Sequence, residues 1–182
     1  LTGAQLSGQD HDFYGISTDT RTLAQGNLYV AIRGEQFDGH DFVGEAFKKG
    51  AAAALVDHAI DCEIPQIIVK DTLLALGNIT GHWRDQFNLP LIAVTGSNGK
   101  TTLKNMIASI LRAACQHHSE QVLATEGNLN NNIGLPLNLA RLNDQHRYAV
   151  LEMGMNHFGE IDYLTHLAKP TIAVINNAAE AH

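Results

Sequence analysis

The sequence predicts an α/β protein with a mainly parallel sheet in its second half, and three observations lead to this prediction. The apolar run "LIAVTG" passes through a glycine-containing loop into a helix-forming segment. Two further apolar runs, "YAVLEMG" and "TIAVINN", are separated by the helical pattern "GEIDYLTHLA". Strands that alternate with helices in this way pair in parallel through right-handed crossovers.

The first half of the chain predicts a smaller α/β domain. Its strand candidates are the β-forming runs "NLYVAIRG", "AAAALV" and "PQIIVKD". Apolar residues at helical spacing predict one helix in "HDFVGEAFKKG", closed by Gly50, and another from Thr72 to Phe87. Because Asn88-Leu89-Pro90 interrupts the periodicity, we expect domains at residues 1–88 and 89–182.

In the second half, "LIAVTG" has the continuous apolar character of a strand buried on both faces of a parallel sheet. A helix is expected from about Lys100 to Ala114, and a short strand in "QVLAT". The runs "YAVLEMG" and "TIAVINN" are expected to be two more buried strands. Because parallel strands all end at the same edge of a sheet, the loops that follow these strands, with their polar residues, should lie together at that edge.

Composition limits the functions that the chain can have. Its 182 residues are 45% apolar and carry a net charge of −7, which argues against broad electrostatic binding to nucleic acid. Two cysteines are too few for a disulfide framework or a zinc cluster, so we expect a reducing compartment, the cytoplasm. The longest apolar run, residues 51–56, is too short to cross a membrane. No signal peptide is visible, and a chain that runs from Leu1 to His182 without a terminal helix cap is expected to be part of something longer.

The loop after the strand "LIAVTG" is the strongest candidate for a binding site. "VTGSNGKTT" ends in the Gly-Lys-Thr of a phosphate-binding loop but has Val94 where the strict P-loop has its first glycine. Between a strand and a helix, backbone N–H groups and the helix N-terminus can converge on an anion. Lys100 can then reach outer phosphates and Thr101 can ligate Mg²⁺. The alternative is an ordinary turn capped by Ser97 or Asn98.

Other polar residues follow strands at the same predicted edge of the sheet. Glu152 near the end of "AVLEMG" suits a metal ligand or a residue that orients water, although it could also be an acid facing solvent. "TEGNLNNNIGLP" contains four asparagines, which either bind a polar ligand or serve as turn and cap residues. His157 and His182 each follow a strand, whereas His118 follows a helix end, where the helix dipole favours a cation.

These segments resemble the Mur ligase family. "VTGSNGKTT" is similar to the shorter ATP loop of that family, T-G-[ST]-x-G-K-[TS]. Within the family, the motifs of the ligase that adds a dipeptide are resembled by "GNLNNNIGLP", "AVLEMGMNHFGEI" and "INNAAEAH". The segment "STDTRTLAQGNLYVAIRGEQFDGHDF" looks like the UDP-substrate domain of that ligase. The family implies three domains, of which this chain would hold the first and part of the second.

The resemblance implies ATP-dependent joining of D-alanyl-D-alanine to UDP-N-acetylmuramoyl-tripeptide through an acyl phosphate, in peptidoglycan precursor synthesis. It implies ATP and Mg²⁺ as cofactors and a monomer that neither binds nucleic acid nor inserts into a membrane. Lys100, Glu152 and His182 would be catalytic, and Thr101, Glu152 and His182 would hold Mg²⁺. The ATP loop would comprise Gly96, Ser97, Asn98, Gly99, Lys100, Thr101 and Thr102. The UDP substrate would contact Ser17, Asp19, Arg21, Asp38, Gly39, His40, Asn130 and Asn131.

Three other functions stay open on the sequence. A sister ligase would add a single amino acid to the muramoyl peptide, or glutamate to folate, and "GNLNNNIG" argues against both. A non-catalytic nucleotide-binding module would not need Lys100, Thr101 and Glu152 together. A generic P-loop kinase or GTPase is disfavoured because Val94 breaks its loop and no guanine-binding motif follows.

Overall fold

The structure is a computed structural model that describes residues 3–34, 36–116 and 118–178. The chain divides between Ile79 and Thr80 into two compact units. Across the described residues, no helix has the length and apolar character that a membrane crossing requires. The expected α/β class is confirmed, because each unit contains a sheet with helices.

The first unit contains a five-stranded sheet in the order β1-β5-β4-β3-β2. Its strands are β1 (Gln5–Ser7), β2 (Ile16–Ser17), β3 (Leu28–Val30), β4 (Ala53–Val56) and β5 (Gln66–Ile68). Strand β1 is antiparallel to β5, and the other pairs are parallel. A 3₁₀ turn at Gly39–Phe42 leads into helix α1 (Val43–Lys48), and helix α2 (Thr72–Arg84) follows β5.

Alternate side chains of β3 and β4 pack into two hydrophobic clusters, one on each face of this sheet. Tyr29, Ala54 and Val56 pack on one side with residues of α1, whereas Leu28 and Leu55 pack on the other with residues of α2. Successive side chains of a strand point to opposite faces, so strands covered on both sides must be apolar throughout. The strand sequences "LYV" and "AALV" meet that requirement.

The second unit contains a four-stranded, all-parallel sheet in the order β7-β8-β6-β9. The strands are β6 (Leu91–Thr95), β7 (Val122–Ala124), β8 (Tyr148–Glu152) and β9 (Ile172–Ile175). Helices α3 (Lys100–Ala114), α4 (Gly134–Leu139) and α5 (Glu160–Ala168) connect them, and the predicted bounds of α3 are confirmed. The loop after β6 therefore starts between β8 and β9, at the carboxyl edge where open α/β sheets bind ligands.

Strand β9 differs from its prediction. It was expected to be buried, but Ile172 is 50% exposed and Ile175 is 71% exposed. The described residues leave the faces of β9 largely uncovered, whereas β7 at the other edge of the same sheet is buried, so an edge position alone is not the reason. Apolar composition identified the strand but could not show whether anything covers it.

Helix α2 ends earlier than predicted, at Arg84 rather than Phe87, and its last turn packs within the second unit. The indole Nε1 of Trp83 donates to the carbonyl of Leu142 at 3.0 Å. The Arg84 guanidinium donates to the carbonyl oxygens of Phe87 and Ala168. The contact division thus lies inside α2, and the boundary expected at residue 88 stays a prediction.

Candidate functional site

The glycine loop joins β6 to α3 and needs both of its glycines. Gly96 has φ of 140° and Gly99, at the N-cap of α3, has φ of 75°, a range that residues with a Cβ rarely adopt. A Cβ added at Gly99 would lie 2.7 Å from Nδ2 of Asn176. Gly99 is therefore fixed by backbone conformation and by the close approach of the residues after β9.

Two asparagines that follow β9 hold this loop. The N–H of Ser97 donates to the carbonyl of Asn177 at 3.2 Å, and the N–H of Asn98 donates to Oδ1 of Asn177 at 3.0 Å. Nδ2 of Asn176 donates to the carbonyl of Asn98 at 2.7 Å. Sequence reasoning gave these asparagines no role of their own, although two amides directly after a strand at the loop's edge of the sheet could have indicated one.

The Lys100 side chain folds back over the loop. Its Nζ donates to the carbonyl of Gly96 at 2.7 Å and to that of Ser97 at 3.3 Å. The ammonium thus lies beside the loop amides that the sequence assigns to phosphate. Thr102, the last residue of the predicted ATP loop, lies on the exposed surface of α3.

Glu152 links three separate segments at the carboxyl edge of the sheet. Its Oε2 accepts a hydrogen bond from Oγ1 of Thr101 at 2.8 Å, and its Oε1 accepts one from Nδ2 of Asn130 at 2.8 Å. Its backbone N–H donates to Oγ1 of Thr125 at 2.8 Å. Glu152 is only 3% exposed, so the alternative of an acid facing solvent does not hold.

The oxygen atoms of this group fit a magnesium ion. Mg²⁺ prefers hard oxygen ligands such as carboxylates and hydroxyls, and it usually keeps several waters. Thr101 and Glu152 already place one hydroxyl and one carboxylate in direct contact. The third predicted ligand, His182, lies outside the described residues.

Two asparagines of the asparagine-rich loop make different contacts within the chain. Oδ1 of Asn131 accepts from the N–H groups of Ile133 and Gly134 and so holds the first turn of α4. The side-chain amide of Asn130 instead donates to Glu152. The backbone carbonyl of Asn130 accepts from the N–H of Gly154 at 2.9 Å. The turn interpretation therefore holds for Asn131, and ligand binding by Asn130 stays a prediction.

Asn138 organises this loop from inside, and sequence reasoning missed it. The side chain is fully buried and donates to the carbonyls of Leu129 and Gly134, while its Oδ1 accepts from the N–H of Glu126 and from Arg141. These four bonds use the whole capacity of an amide. A lone asparagine within a helical pattern gives no sequence signal for such a role.

In the first unit, the predicted substrate residues Ser17, Asp19 and Arg21 form one turn. Oγ of Ser17 donates to the carbonyl of Asp19 at 2.9 Å, and the Arg21 guanidinium pairs with the Asp19 carboxylate at 2.6 Å. Hydrogen bonds from Arg21 lower the pKa of Asp19. The Arg21 side chain is 86% exposed, and Asp19 engages its Nε and Nη2.

Asp38, Gly39 and His40 form a second turn, in which the His40 ring is buried. Its Nδ1 lies 2.5 Å from Oδ1 of Asp38, and its Nε2 accepts the backbone N–H of Asp57 at 3.1 Å. A Cβ at Gly39 would lie 2.6 Å from the backbone N of Ile32, so the turn requires glycine. Both nitrogens of His40 are engaged within the chain, which indicates that it positions this turn.

His40, Asp57 and His58 also bring possible metal ligands within 4.8 Å of one another. These ligands are already paired. Arg33 forms a fork on the Asp57 carboxylate, with its Nε 2.8 Å from Oδ2, and the His58 ring contacts Oδ1. A cation there would have to displace an arginine, so the cluster is better described as an ion-pair network.

Asn156 and His157 lie before α5. Oε2 of Glu160 accepts from the N–H of Asn156 at 2.6 Å and from that of His157 at 3.1 Å, and these bonds lower the pKa of Glu160. Neither asparagine nor histidine side chain has a contact that assigns it a role. The sequence did not assign one either.

The strand–loop–helix element, the lysine and the buried carboxylate together form the arrangement that P-loop-type α/β proteins have. Comparison with known proteins gives the family. Residues 94–182 match the Mur ligase middle domain, and residues 12–84 match the family model described as "Mur ligase family, catalytic domain". The chain belongs to the Mur ligase family.

Similar proteins include two ligases whose full name is UDP-N-acetylmuramoyl-tripeptide–D-alanyl-D-alanine ligase. The one from Escherichia coli is 45% identical over all of this chain and 39% of its own length. The one from Haemophilus influenzae is 47% identical over 92% of this chain and 36% of its own length. The chain therefore spans well under half the length of these relatives.

Solved structures agree with this similarity. A MurF structure from Acinetobacter baumannii superimposes with a TM-score of 0.85 at 45% identity, covering 92% of this chain and 36% of that one. A MurF ligase from Thermotoga maritima in complex with ADP gives 0.78 at 30% identity, covering 90% and 37%. The expected Mur ligase fold is confirmed.

Proposed function

We propose that this chain is the UDP-substrate and ATP-loop portion of a ligase that joins D-alanyl-D-alanine to UDP-N-acetylmuramoyl-tripeptide. The observation that carries the proposal is the contact of Glu152 with Thr101 on one side and Asn130 on the other. It brings a nucleotide loop and an asparagine-rich loop to one carboxylate, as a reaction between ATP and a second substrate requires. The names of the relatives supply the substrates.

The proposed reaction has two steps. A carboxylate oxygen of the tripeptide attacks the γ-phosphorus of ATP, the bond to the β,γ-bridging oxygen breaks, and an acyl phosphate and ADP result. The amine of D-alanyl-D-alanine then attacks the acyl carbon, loses a proton, and inorganic phosphate leaves as the peptide bond forms. Such transfers depend on positioning and on neutralisation of charge, with no covalent enzyme intermediate.

Each residue of the site has a part in this scheme. Lys100 exchanges the loop carbonyls for the β- and γ-phosphates, while the amides at residues 96–99 and the N-terminus of α3 face the anion. Thr101 and Glu152 would hold Mg²⁺, which would supply neutralisation of phosphate charge. His182 is proposed as a ligand of a second Mg²⁺, on the resemblance alone.

The UDP-muramoyl substrate is assigned to both units. Asn130 would leave part of its contact with Glu152 to bind the substrate, and Asn131 would act beside it. The exposed Arg21 guanidinium would exchange part of its contact with Asp19 for a diphosphate, because guanidinium groups bind phosphate oxygens in pairs. Ser17, Asp19, Asp38, Gly39 and His40 would shape the two turns that carry the uridine. We propose the cytoplasm as the location of this reaction.

The test is a ligation assay on the full-length protein with ATP, Mg²⁺, UDP-N-acetylmuramoyl-tripeptide and D-alanyl-D-alanine. The expected products are the pentapeptide precursor, ADP and phosphate in equal amounts. Lys100→Ala should reduce turnover by about two to three orders of magnitude, because losing a charge-assisted contact in the transition state costs roughly 3–4 kcal/mol. The exposed Lys70 supplies the matched control, Lys70→Ala.

Three outcomes would contradict the proposal or part of it. A preference for a single amino acid over the dipeptide would assign the chain to a sister ligase. ATP binding without product, in a protein that melts cooperatively, would indicate a nucleotide-binding module. An active Lys100→Ala variant would remove the assigned role of the loop.

A further inference from the structure

Lys104 is a buried lysine on α3 that the scheme above does not use. It lies one turn after Lys100 and is only 5% exposed. Within the described residues, its Nζ has one hydrogen-bond partner, the carbonyl of Thr125 at 2.9 Å. Burial of an ammonium with a single neutral acceptor is unfavourable, so this side chain calls for a physical explanation.

Packing alone does not explain it. Lys104 lies in the same buried row of α3 as Ala108, which packs against apolar side chains of the sheet. A methionine there would fill similar space without removing a charge from water. Replacing a buried ion by a well-packed apolar residue is often neutral or stabilising. Stability alone therefore does not require an ammonium at this position.

Thr125 connects Lys104 to Glu152. Thr125 is 3% exposed, and its backbone N–H donates to the carbonyl of Val150 at 3.1 Å. Its carbonyl accepts from Lys104, and its hydroxyl accepts the backbone N–H of Glu152 at 2.8 Å. Lys104 thus fixes the residue that fixes the main chain of Glu152.

Asn130, which contacts the Glu152 carboxylate, lies on the loop of residues 126–134, which begins directly after Thr125. Glu152 is the one buried carboxylate of the described chain, and Lys104 is one of two buried cations in the second unit. The other, Arg84, is engaged by carbonyls at the end of α5. Lys104 is therefore the buried cation associated with the site.

We infer that Lys104 is a positioning residue for the proposed phosphoryl transfer, acting through Thr125 to hold Glu152 between Thr101 and Asn130. The inference rests on the proposed function. Residues that orient a metal ligand from behind typically change metal affinity or activity by about 10- to 100-fold when removed. The same range is expected here.

The first experiment compares Lys104→Met with Lys70→Met in the full-length protein. Lys104→Met should lower kcat by about 10- to 100-fold and raise the Mg²⁺ concentration for half-maximal activity, while KM for ATP changes by less than about threefold. Lys70→Met should match the wild type. Thermal melting verifies that each variant is folded.

A binding measurement separates positioning from general damage. Calorimetry with a non-hydrolysable ATP analogue gives Kd with and without Mg²⁺. In the wild type, Mg²⁺ should lower the Kd of the analogue. The ratio of the Kd without Mg²⁺ to the Kd with Mg²⁺ should be about tenfold smaller in Lys104→Met, whereas the Kd without Mg²⁺ changes little. An unchanged ratio would overturn the inference.

Thr125 supplies an independent route that does not depend on Lys104→Met folding. Thr125→Ser keeps the hydroxyl and should retain activity, whereas Thr125→Val removes it and should reproduce the kcat defect. Because the two residues act in series, the double variant Lys104→Met/Thr125→Val should be no worse than the poorer single variant. A wild-type rate in Thr125→Val, or multiplied losses in the double variant, would overturn the inference.

Failure of the inference is distinguishable from failure of the proposed function. If the wild-type protein forms no dipeptide ligation product, the proposed function is wrong. If the wild type is active and Lys104→Met matches Lys70→Met, the function stands and only the role of Lys104 is wrong.

Discussion

Among single residues, Glu152 was predictable from sequence, and several of its neighbours were not. A carboxylate at the end of the apolar run "AVLE" has a definite place once the run is identified as a parallel strand. Lys104 and Asn138 occur in helical patterns, where a polar residue is normally taken as exposed. Only the tertiary packing shows that they are buried. His40 was assigned to the substrate, and its ring is inside the fold.

Substitution Glu152→Gln should abolish turnover while leaving the fold intact. The amide keeps the size of the side chain and one acceptor, and the Thr101 hydroxyl can turn to accept where it now donates. The negative charge that would hold Mg²⁺ is lost, and turnover should fall by at least about 100-fold. Steady-state kinetics and thermal melting measure the two effects. A variant with substantial turnover would show that Glu152 only supports the loops.

The Asp57 carboxylate should make stability depend on pH. Hydrogen bonding from Arg33, together with His58 and His40, lowers the pKa of Asp57 to about 2. A carboxyl group whose folded pKa lies below its unfolded value stabilises the protein above the unfolded value, and this contribution is lost as the pH falls through the folded one.

Urea unfolding of wild type and Asp57→Asn from pH 7 to pH 2 checks this prediction. The wild type should be the more stable at neutral pH, and the difference should shrink between about pH 4 and pH 2. A difference that stays constant across that range would show that the Arg33–Asp57 pair does not carry it.

At the level of elements, the periodicity of the sequence located the strands and helices but not their coverage. Helix α3 has its predicted bounds because its apolar spacing is regular from Lys100 onward. A run of apolar, β-branched residues predicts a strand but does not show whether other residues cover its faces. The prediction that β9 is buried was therefore wrong. The boundary of α2 differed because its last turn is fixed by tertiary bonds of Trp83 and Arg84.

The loop before α3 should not tolerate a side chain at Gly99. Gly99→Ala would combine a φ of 75° with a Cβ 2.7 Å from Nδ2 of Asn176. The strain should be about 1–3 kcal/mol and should break the bond between Asn176 and Asn98. We expect nucleotide affinity to fall at least tenfold, measured by calorimetry. Gly44→Ala is the control, because a Cβ there meets no atom within 4 Å.

The loop at residues 126–134 should depend on the amide of Asn138. Asn138→Asp would place a carboxylate against the carbonyls of Leu129 and Gly134, where two N–H donors now lie. An unpaired buried charge costs about 3–5 kcal/mol, so the variant should melt at a lower temperature. It should also weaken binding of the UDP substrate more than binding of ATP. Equal losses for both ligands would indicate global unfolding instead.

For the whole molecule, the predicted domain functions and the predicted boundary at residue 88 both stay predictions, and the contact division lies before that boundary, between Ile79 and Thr80. The predicted uridine residues belong to the first unit, and the predicted ATP loop belongs to the second. A break in helical periodicity marks where a helix stops, whereas compactness depends on which unit the last turn of that helix contacts. That information exists only once the chain is folded.

The same division predicts separable ligand binding. Arg21→Ala should weaken the UDP substrate by about tenfold, because an exposed guanidinium–phosphate contact is a charge-assisted bond, and it should leave ATP affinity unchanged. Calorimetry with each ligand on the full-length protein tests this. Arg147→Ala, at an exposed arginine of the second unit, is the control. A loss of ATP affinity in Arg21→Ala would contradict the assignment.

The resting position of Lys100 also affects the time course of nucleotide binding. Its ammonium leaves the carbonyls of Gly96 and Ser97 by a change of side-chain rotamer, and such changes take picoseconds to nanoseconds in accessible side chains. Diffusional encounter at micromolar nucleotide is slower by many orders of magnitude. The lysine therefore completes many excursions between one encounter and the next. A nucleotide that reaches the loop does not have to wait for it.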